Sequence, residues 1–510
     1  MPSFLTKACF LLIVASCCDS PCLHAAEPDL KAIFPLGCSP GESIEATLIG
    51  GGLDKVTALH FSTPGLSAEP IEKNRFRITA SDEASLGTCD VWIATPEGLA
   101  GPRRFAISST AIVVEQESND TSDLAQAVTL PVVVDAKCDK AADLDWFAFA
   151  AEKDQEISIA CRSHSLDGSV RPFFTLVGPS GRELVHSSAS RLEPEATFHV
   201  PASGAYRLLV HDRGYKKDDF SYYRIELSVP AEKTNTSTAH RALITSDDVL
   251  ATEQITEQIA SEETPQELDL PSRIAGSFEQ RNAVDWFRFA AKKGQTVHIE
   301  AFGERLGQMM DIDVAIYDDN QKEVVALKDI AAPKSVPATL PLVSLDPTID
   351  WKVPTDGEYS IAIRDLYGGS VFGPDRVYEL IVQKQRPSFY AFVMSTNAKP
   401  SRGVAIKRGA EAEASVVVVR TGGFAGEVTV RIEEPNDSVT LENGVVGPKE
   451  VTKPLRLAAA SDSAVGFHPL RLVAEAEIGS DKRTISIPYA AVIRPGLTRR
   501  VEEMLIDISE

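Results

Sequence analysis

The chain has 510 residues, and at about 150 residues per domain it holds several domains rather than one small module. Acidic residues outnumber basic ones by 73 to 51, a formal charge of −22, which argues against nonspecific binding to nucleic acid or to an anionic membrane surface. A charged fraction of 24% and a hydrophobic fraction of 43% are those of ordinary folded, soluble protein.

At the amino end, Lys7 precedes the apolar run from Ala8 to Ala15, and the small residues Ala25 and Ala26 precede Glu27. This pattern predicts a cleavable export signal over residues 1–26 and a mature chain that is secreted, periplasmic or held at the cell envelope. Val14-Ala15-Ser16-Cys17 offers a rival reading as a lipobox, with Cys17 lipid-modified. No segment supplies the roughly 20 apolar residues of a transmembrane helix. Beyond the signal four cysteines remain, Cys38, Cys89, Cys138 and Cys161. Export predicts two disulfides, with Cys38 to Cys89 and Cys138 to Cys161 as the economical pairing; four buried thiols are the alternative. Zinc is disfavoured, because no CxxC or HxxxH spacing accompanies them.

Residues 27–110 alternate apolar and polar positions in short runs broken by Gly and Pro, as in Ser43 to Ile49 before Gly50-Gly51-Gly52. Ile33-Phe34-Pro35, Pro40-Gly41-Glu42, the glycine turn ending at Leu53 and the strand Asp90-Val91-Trp92-Ile93 resemble the transcription-factor-type immunoglobulin (IPT/TIG) family. An immunoglobulin-like sandwich is what the resemblance implies.

An internal repeat follows. Asp143-Leu144-Asp145-Trp146-Phe147-Ala148-Phe149 matches Ala283-Val284-Asp285-Trp286-Phe287-Arg288-Phe289. Gly204-Ala205-Tyr206 matches Gly357-Glu358-Tyr359, and Tyr223 to Leu227 matches Tyr378 to Val382. The offset grows from 140 (285 − 145) to 155 (378 − 223), so the second copy carries an insertion. These blocks resemble the bacterial pre-peptidase C-terminal domain, a β-sandwich appended to many secreted peptidases. Copy one is placed at 112–229 and copy two at 262–384, with a linker at 230–261 that could hold a short helix. Alternation resumes in a final immunoglobulin-like sandwich at 386–494, and 495–510 reads as a tail of helical turn or disorder. The fold class expected is all-β, four tandem sandwich modules in a row.

In Glu115-Gln116-Glu117-Ser118-Asn119-Asp120, the residues Glu115, Glu117 and Asn119 share one face if the segment is extended. With Asp120 and Asp143, and more weakly Asp145, they supply hard oxygen ligands suited to calcium. Resemblance to collagenase members of the family implies a calcium site of this kind; a solvated acidic linker is the alternative. Aligning Thr264 with Thr121 sets Gln258 opposite Glu115, Ala260 opposite Glu117 and Ala283 opposite Asp143, so copy two is not expected to hold calcium in the same way.

Phe147 with Phe149, and Phe287 with Phe289, should face the core, leaving Trp146 and Trp286 as lids or ligand platforms. Tyr215, Phe220 and Tyr222 in one copy, and Tyr367 and Phe372 in the other, lie in polar loops as candidate contact residues. No nucleophile elbow, His-Glu-x-x-His or phosphate loop occurs, and the histidines are scattered. The function expected is a noncatalytic binding, adhesion or scaffold protein of the bacterial envelope or exterior. Its partner would be an envelope protein or polysaccharide. The alternative is an accessory subunit of a separately encoded hydrolase.

Overall fold

The structure is a computed structural model that describes residues 27–510 except 188–190, 230–241, 251, 259, 332, 334, 335, 339, 341, 397–402, 435 and 436. The export signal and Cys17 therefore lie outside the described residues. The chain is all-β, built of tandem sandwiches.

The first sandwich faces a sheet ordered Asp29–Phe34, Ser43–Gly51, Arg75–Ala80, Leu66–Glu72 against one ordered Gly37–Cys38, Gly98–Ile107, Gly87–Thr95, Ala58–Phe61. Period-two alternation sends Leu48, Phe76, Ile78, Val91 and Phe105 into its core. In the second, Asp145–Ala151 and Gly204–Asp212 lie side by side in one sheet, while Val132–Lys137, Tyr222–Ser228 and Glu156–Arg162 form the middle of the other. Phe147 and Phe149 are buried as the alternation requires, a gain of about 1.5–3 kcal/mol for each such side chain.

The third sandwich repeats this strand order. Its insertion falls after Glu323–Ala326 and adds an edge strand, Lys328–Ile330, paired to Ser344–Lys352. Gln254–Thr256, in the stretch read as linker, is also a strand of this sandwich, and among the described residues the helix there is the single turn Ser246–Val249. The fourth sandwich takes in the tail: Leu497–Val501 pairs with Tyr489–Arg494, and Met504–Ser509 pairs with Val404–Lys407 and Gly466–Leu470. The tail is strand, not helical turn or disorder, because Leu497, Val501, Met504, Ile506 and Ile508 all enter the core.

The modules are not strung in a row. Trp92 and Leu99, on the outer face of the first sandwich, are buried in the core of the fourth, where Trp92 meets Tyr489 at 5.7 Å between ring centroids. Arg103 donates from Nη2 to the Ile493 carbonyl at 2.8 Å. Arg224 donates from Nε to Asp135 Oδ1 at 2.6 Å, and the other oxygen of that carboxylate accepts the Leu36 N–H of the first sandwich at 2.7 Å. Arg499 of the fourth is bonded to both Asp90 of the first and Asp167 of the second. The outer face carrying Trp92 and Leu99 needed an apolar cover, and the last sandwich folds back to supply it.

The two expected disulfides are absent; Cys38, Cys89, Cys138 and Cys161 are buried free thiols. The sheet order explains this. Cys38 pairs with Ile107 and Cys89 with Phe105 on opposite edges of the same strand, Gly98–Ile107. Likewise strand Tyr222–Ser228 separates Cys161, opposite Ile225, from Cys138, whose N–H bonds the Ser221 carbonyl. Two strand spacings are about 9–10 Å, beyond the roughly 7 Å that a disulfide spans. Burial pushes the Cys38 thiol up to about 11 and Cys89 to about 12, and raises Cys138 and Cys161 further, so all four pack as small apolar groups.

A carboxylate cluster and two aromatic loops

The entry segment of the second sandwich leaves the sheet just after Ile112–Val114. Its first residue is pinned twice: the Glu115 N–H bonds the Asp135 carbonyl at 3.0 Å, and Glu115 Oε2 accepts the Lys137 N–H at 3.0 Å. Further on, the Asn119 carbonyl accepts the Trp146 N–H at 3.0 Å, which ties the segment to the Asp-Trp-Phe strand. The result brings carboxylate oxygens of Glu115, Glu117 and Asp145 within 4.8 Å of one another. Asn119 joins them, donating from Nδ2 to Glu115 Oε1 at 3.2 Å.

Two oxygens in this cluster are orphaned. Asn119 Oδ1 and Asp145 Oδ1 belong to side chains that are fully buried, and neither has a hydrogen-bond partner among the described residues. An unpaired buried acceptor costs about 1–3 kcal/mol, more when charged. Burial and the neighbouring carboxylates push Glu115 up to about 7 and Asp145 up to about 9, and burial, then Asp143, raises Glu117. Tyr223 donates its hydroxyl to Asp145 Oδ2, leaving Oδ1 open. Hard, crowded oxygens with unfilled acceptor capacity fit a calcium ion.

Of the other two candidate ligands, Asp120 is drawn aside, while Asp143 stays buried beside the cluster with one oxygen that makes no hydrogen bond among the described residues. Asp120 pairs with Lys140 Nζ. Asp143 accepts the Asp139 N–H at 2.6 Å and has Lys140 Nζ 3.3 Å from its second oxygen. Asp145, the weaker candidate on sequence, is instead a central member.

The third sandwich corrects the register of the repeat. Glu257, not Gln258, stands for Glu115: its N–H bonds the Ala275 carbonyl at 2.8 Å and its Oε2 accepts the Ser277 N–H at 2.9 Å, reproducing the two pins of Glu115. The offset is 142 (257 − 115) here but 140 (266 − 126) at the glutamine that caps each segment, so the connection is two residues shorter in the third sandwich. The signal was present in the matching Glu-Gln pairs 115–116 and 257–258, but a gap-free alignment from the threonines hid it. Here Asp285 is bonded by Tyr378 at 2.9 Å and pushed up to about 8 by burial and by its bond to Glu257. The neighbouring Glu257 carboxylate thus disfavours ionisation of Asp285, as a second like charge at one site does.

The candidate contact aromatics are not in equivalent positions. Tyr215 is bonded through its N–H to the Asp212 carbonyl and through its carbonyl to the Ala142 N–H, the bonds that Gly368, not Tyr367, makes to Asp365 and Asn282. Tyr215 stacks on His211 at 4.7 Å. Phe220 is half-buried at the boundary with the first sandwich, with the Arg103 guanidinium 5.8 Å from its ring, and half-buried Tyr222 lies against Phe34. In the third sandwich Leu366, Tyr367 and Phe372 are about half exposed, at 55%, 51% and 48%. Beneath them the Asp365 carboxylate is held by Arg376 Nε at 2.7 Å and accepts the Tyr367 N–H at 3.1 Å.

No family model matches this chain, and no curated protein matches it. Among solved structures it is similar to the pre-peptidase C-terminal domain of collagenase from Bacillus anthracis, at 20% identity over 21% of this chain and 93% of that one, with a TM-score of 0.17. It is also similar to SGBP-B of a Bacteroides ovatus mixed-linkage glucan utilization locus, solved with a mixed-linkage heptasaccharide, at 11% identity over 69% and 74% of the two chains and a TM-score of 0.15.

Proposed function

We propose that the chain is a noncatalytic binding protein of the bacterial envelope or exterior, whose welded sandwiches hold contact loops in fixed relation. The observation that carries this reading is the loop Leu366 to Phe372. Three large apolar side chains stand in solvent on a backbone fixed by the buried Arg376–Asp365 pair. Large apolar side chains grouped on one fixed surface loop are a common mark of a contact site. Supporting it, His298 has both ring nitrogens engaged, by Asp350 Oδ1 at 2.8 Å and Glu300 Oε2 at 3.0 Å, an arrangement that leaves neither nitrogen open to a substrate.

We further propose that Glu115, Glu117, Asn119 and Asp145 hold a structural calcium ion in the second sandwich only. The ion would pin the entry segment to the Asp-Trp-Phe strand. The test of the binding reading is retention of the full chain on whole bacterial envelopes. Replacing Tyr367 and Phe372 together by Ser should cut retention at least several-fold with melting unchanged; equal retention would remove the loop from the function.

A further inference from the structure

On the outer face of the third sandwich, Trp286 and Tyr317 stand on the two strands flanking Gly357–Asp365. The middle strand sets Ala362 opposite Trp286 and Ser360 opposite Tyr317. These small side chains leave room, so the partly exposed rings lean together with centroids 5.3 Å apart and planes inclined by 47°. They floor a surface hollow of about 320 Å³. Its rim is polar in both senses: Glu262, Asp318, Asp319 and Glu358 accept hydrogen bonds, while Arg288, Gln321 and Ser360 donate them.

We propose that this hollow binds a neutral sugar ring of a polysaccharide. The inference rests on the binding-protein reading above and gives it a ligand class. A pyranose presents a face of C–H groups and an edge of hydroxyls, each both donor and acceptor. The aromatic faces, negative at their centres, suit the C–H groups, and a few polar groups of mixed sense around an apolar floor suit the hydroxyls. An organic cation would also favour the rings. Arg288, two residues from Trp286 on the same strand face, sets one guanidinium against it, while the carboxylates of the rim favour it, so a cationic sugar is the rival that the test separates. The four carboxylates of the lining, Glu262, Asp318, Asp319 and Glu358, set themselves against a polyanion.

The second sandwich is an internal control. Trp146 occupies the position of Trp286, but Val177 replaces Tyr317, Leu209 replaces Ala362, Arg207 replaces Ser360, Ala148 replaces Arg288 and Ala205 replaces Glu358, so the indole has no second ring beside it and a different set of neighbours. In the turn beyond Tyr317, Gln321 adopts a left-handed backbone with φ of 58° where the second sandwich has Gly181. A side chain is thus kept at a position that suits glycine.

The test is affinity electrophoresis of the full chain in gels containing a neutral β-glucan, mannan or xylan, beside cationic chitosan and anionic alginate. At least one neutral polymer should retard the protein. Retardation should fall at least tenfold in Trp286→Ala and in Tyr317→Ala and stay unchanged in Trp146→Ala. Glu358→Lys, at an exposed rim position, should also weaken it, so the result does not hang on an aromatic substitution that disturbs the sheet. No retardation by any neutral polymer, retardation undiminished in Trp286→Ala with the fold intact, or retardation by chitosan alone would each overturn the proposal. Envelope retention through Tyr367 and Phe372 would then still decide the binding-protein reading, so the two fail separately.

Discussion

Arg499 donates from Nε to Asp167 Oδ1 at 2.8 Å, joining the fourth sandwich to the second, and its Nη2 reaches Asp90 of the first. Arg499 and Asp167 are buried, at 5% and 3% exposure, so the pair sits where loss of one partner strands the other. Arg499→Ala should cost about 3–5 kcal/mol. The loss falls on the seam rather than on any one core, so the fourth sandwich should separate before the others melt. A split melting transition together with a larger radius of gyration by small-angle scattering would bear this out; a single transition at the wild-type temperature would refute it.

Calcium should stabilise the full chain through one site. At free calcium a hundred times the dissociation constant, the gain is about 2.7 kcal/mol. Asp145→Asn and Glu117→Gln should each abolish the rise in melting temperature, while Glu257→Gln should leave it intact. Ligand carboxyls held up at about 7 and 9 must lose their protons to bind, so affinity should rise with pH across that interval. Calorimetric titration that finds two equivalent sites would show that the third sandwich binds as well.

The four thiols should be unreactive in the native protein and fully reactive once unfolded. With a chain starting at Glu27, alkylation in denaturant without reductant should add four groups, and alkylation under native conditions none. Two fewer in the denatured sample would mean that one disulfide forms, against the intervening strands that hold each pair apart.

What could be read from the sequence follows from which signals are local. Alternation is local, so the buried Phe147 and Phe149 and the sandwich class were readable, as was the gathering of Glu115, Glu117 and Asn119. Strand order is not local: that one strand lies between Cys38 and Cys89 depends on sheet topology, and nearness in sequence misled the pairing. The tail was misread because Met504 to Ile508 places apolar residues almost continuously, which marks a strand covered on both faces and carries no alternation. The return of the fourth sandwich onto Trp92 had no sequence signal at all, since an outward Trp reads equally as lid, platform or interface.

His298 provides a pH test of the third sandwich. Burial alone would lower its basicity, but the bonds to Asp350 and Glu300 outweigh that and raise it to about 9. Arg305 bonds the other oxygen of Glu300 at 2.7 Å, so the group is a chain of alternating charge. The folded imidazolium is therefore held above its unfolded value of about 6.5. Its stabilisation is fully present below that value and is lost as pH rises through about 9. Asp350 is 42% exposed and screened, which limits the contribution at pH 6 to about 1–2 kcal/mol. His298→Gln should thus be destabilised by that amount at pH 6 and differ little from the parent at pH 10. Urea midpoints at the two pH values measure it, and a gap of equal size at both would show that His298 acts through packing alone.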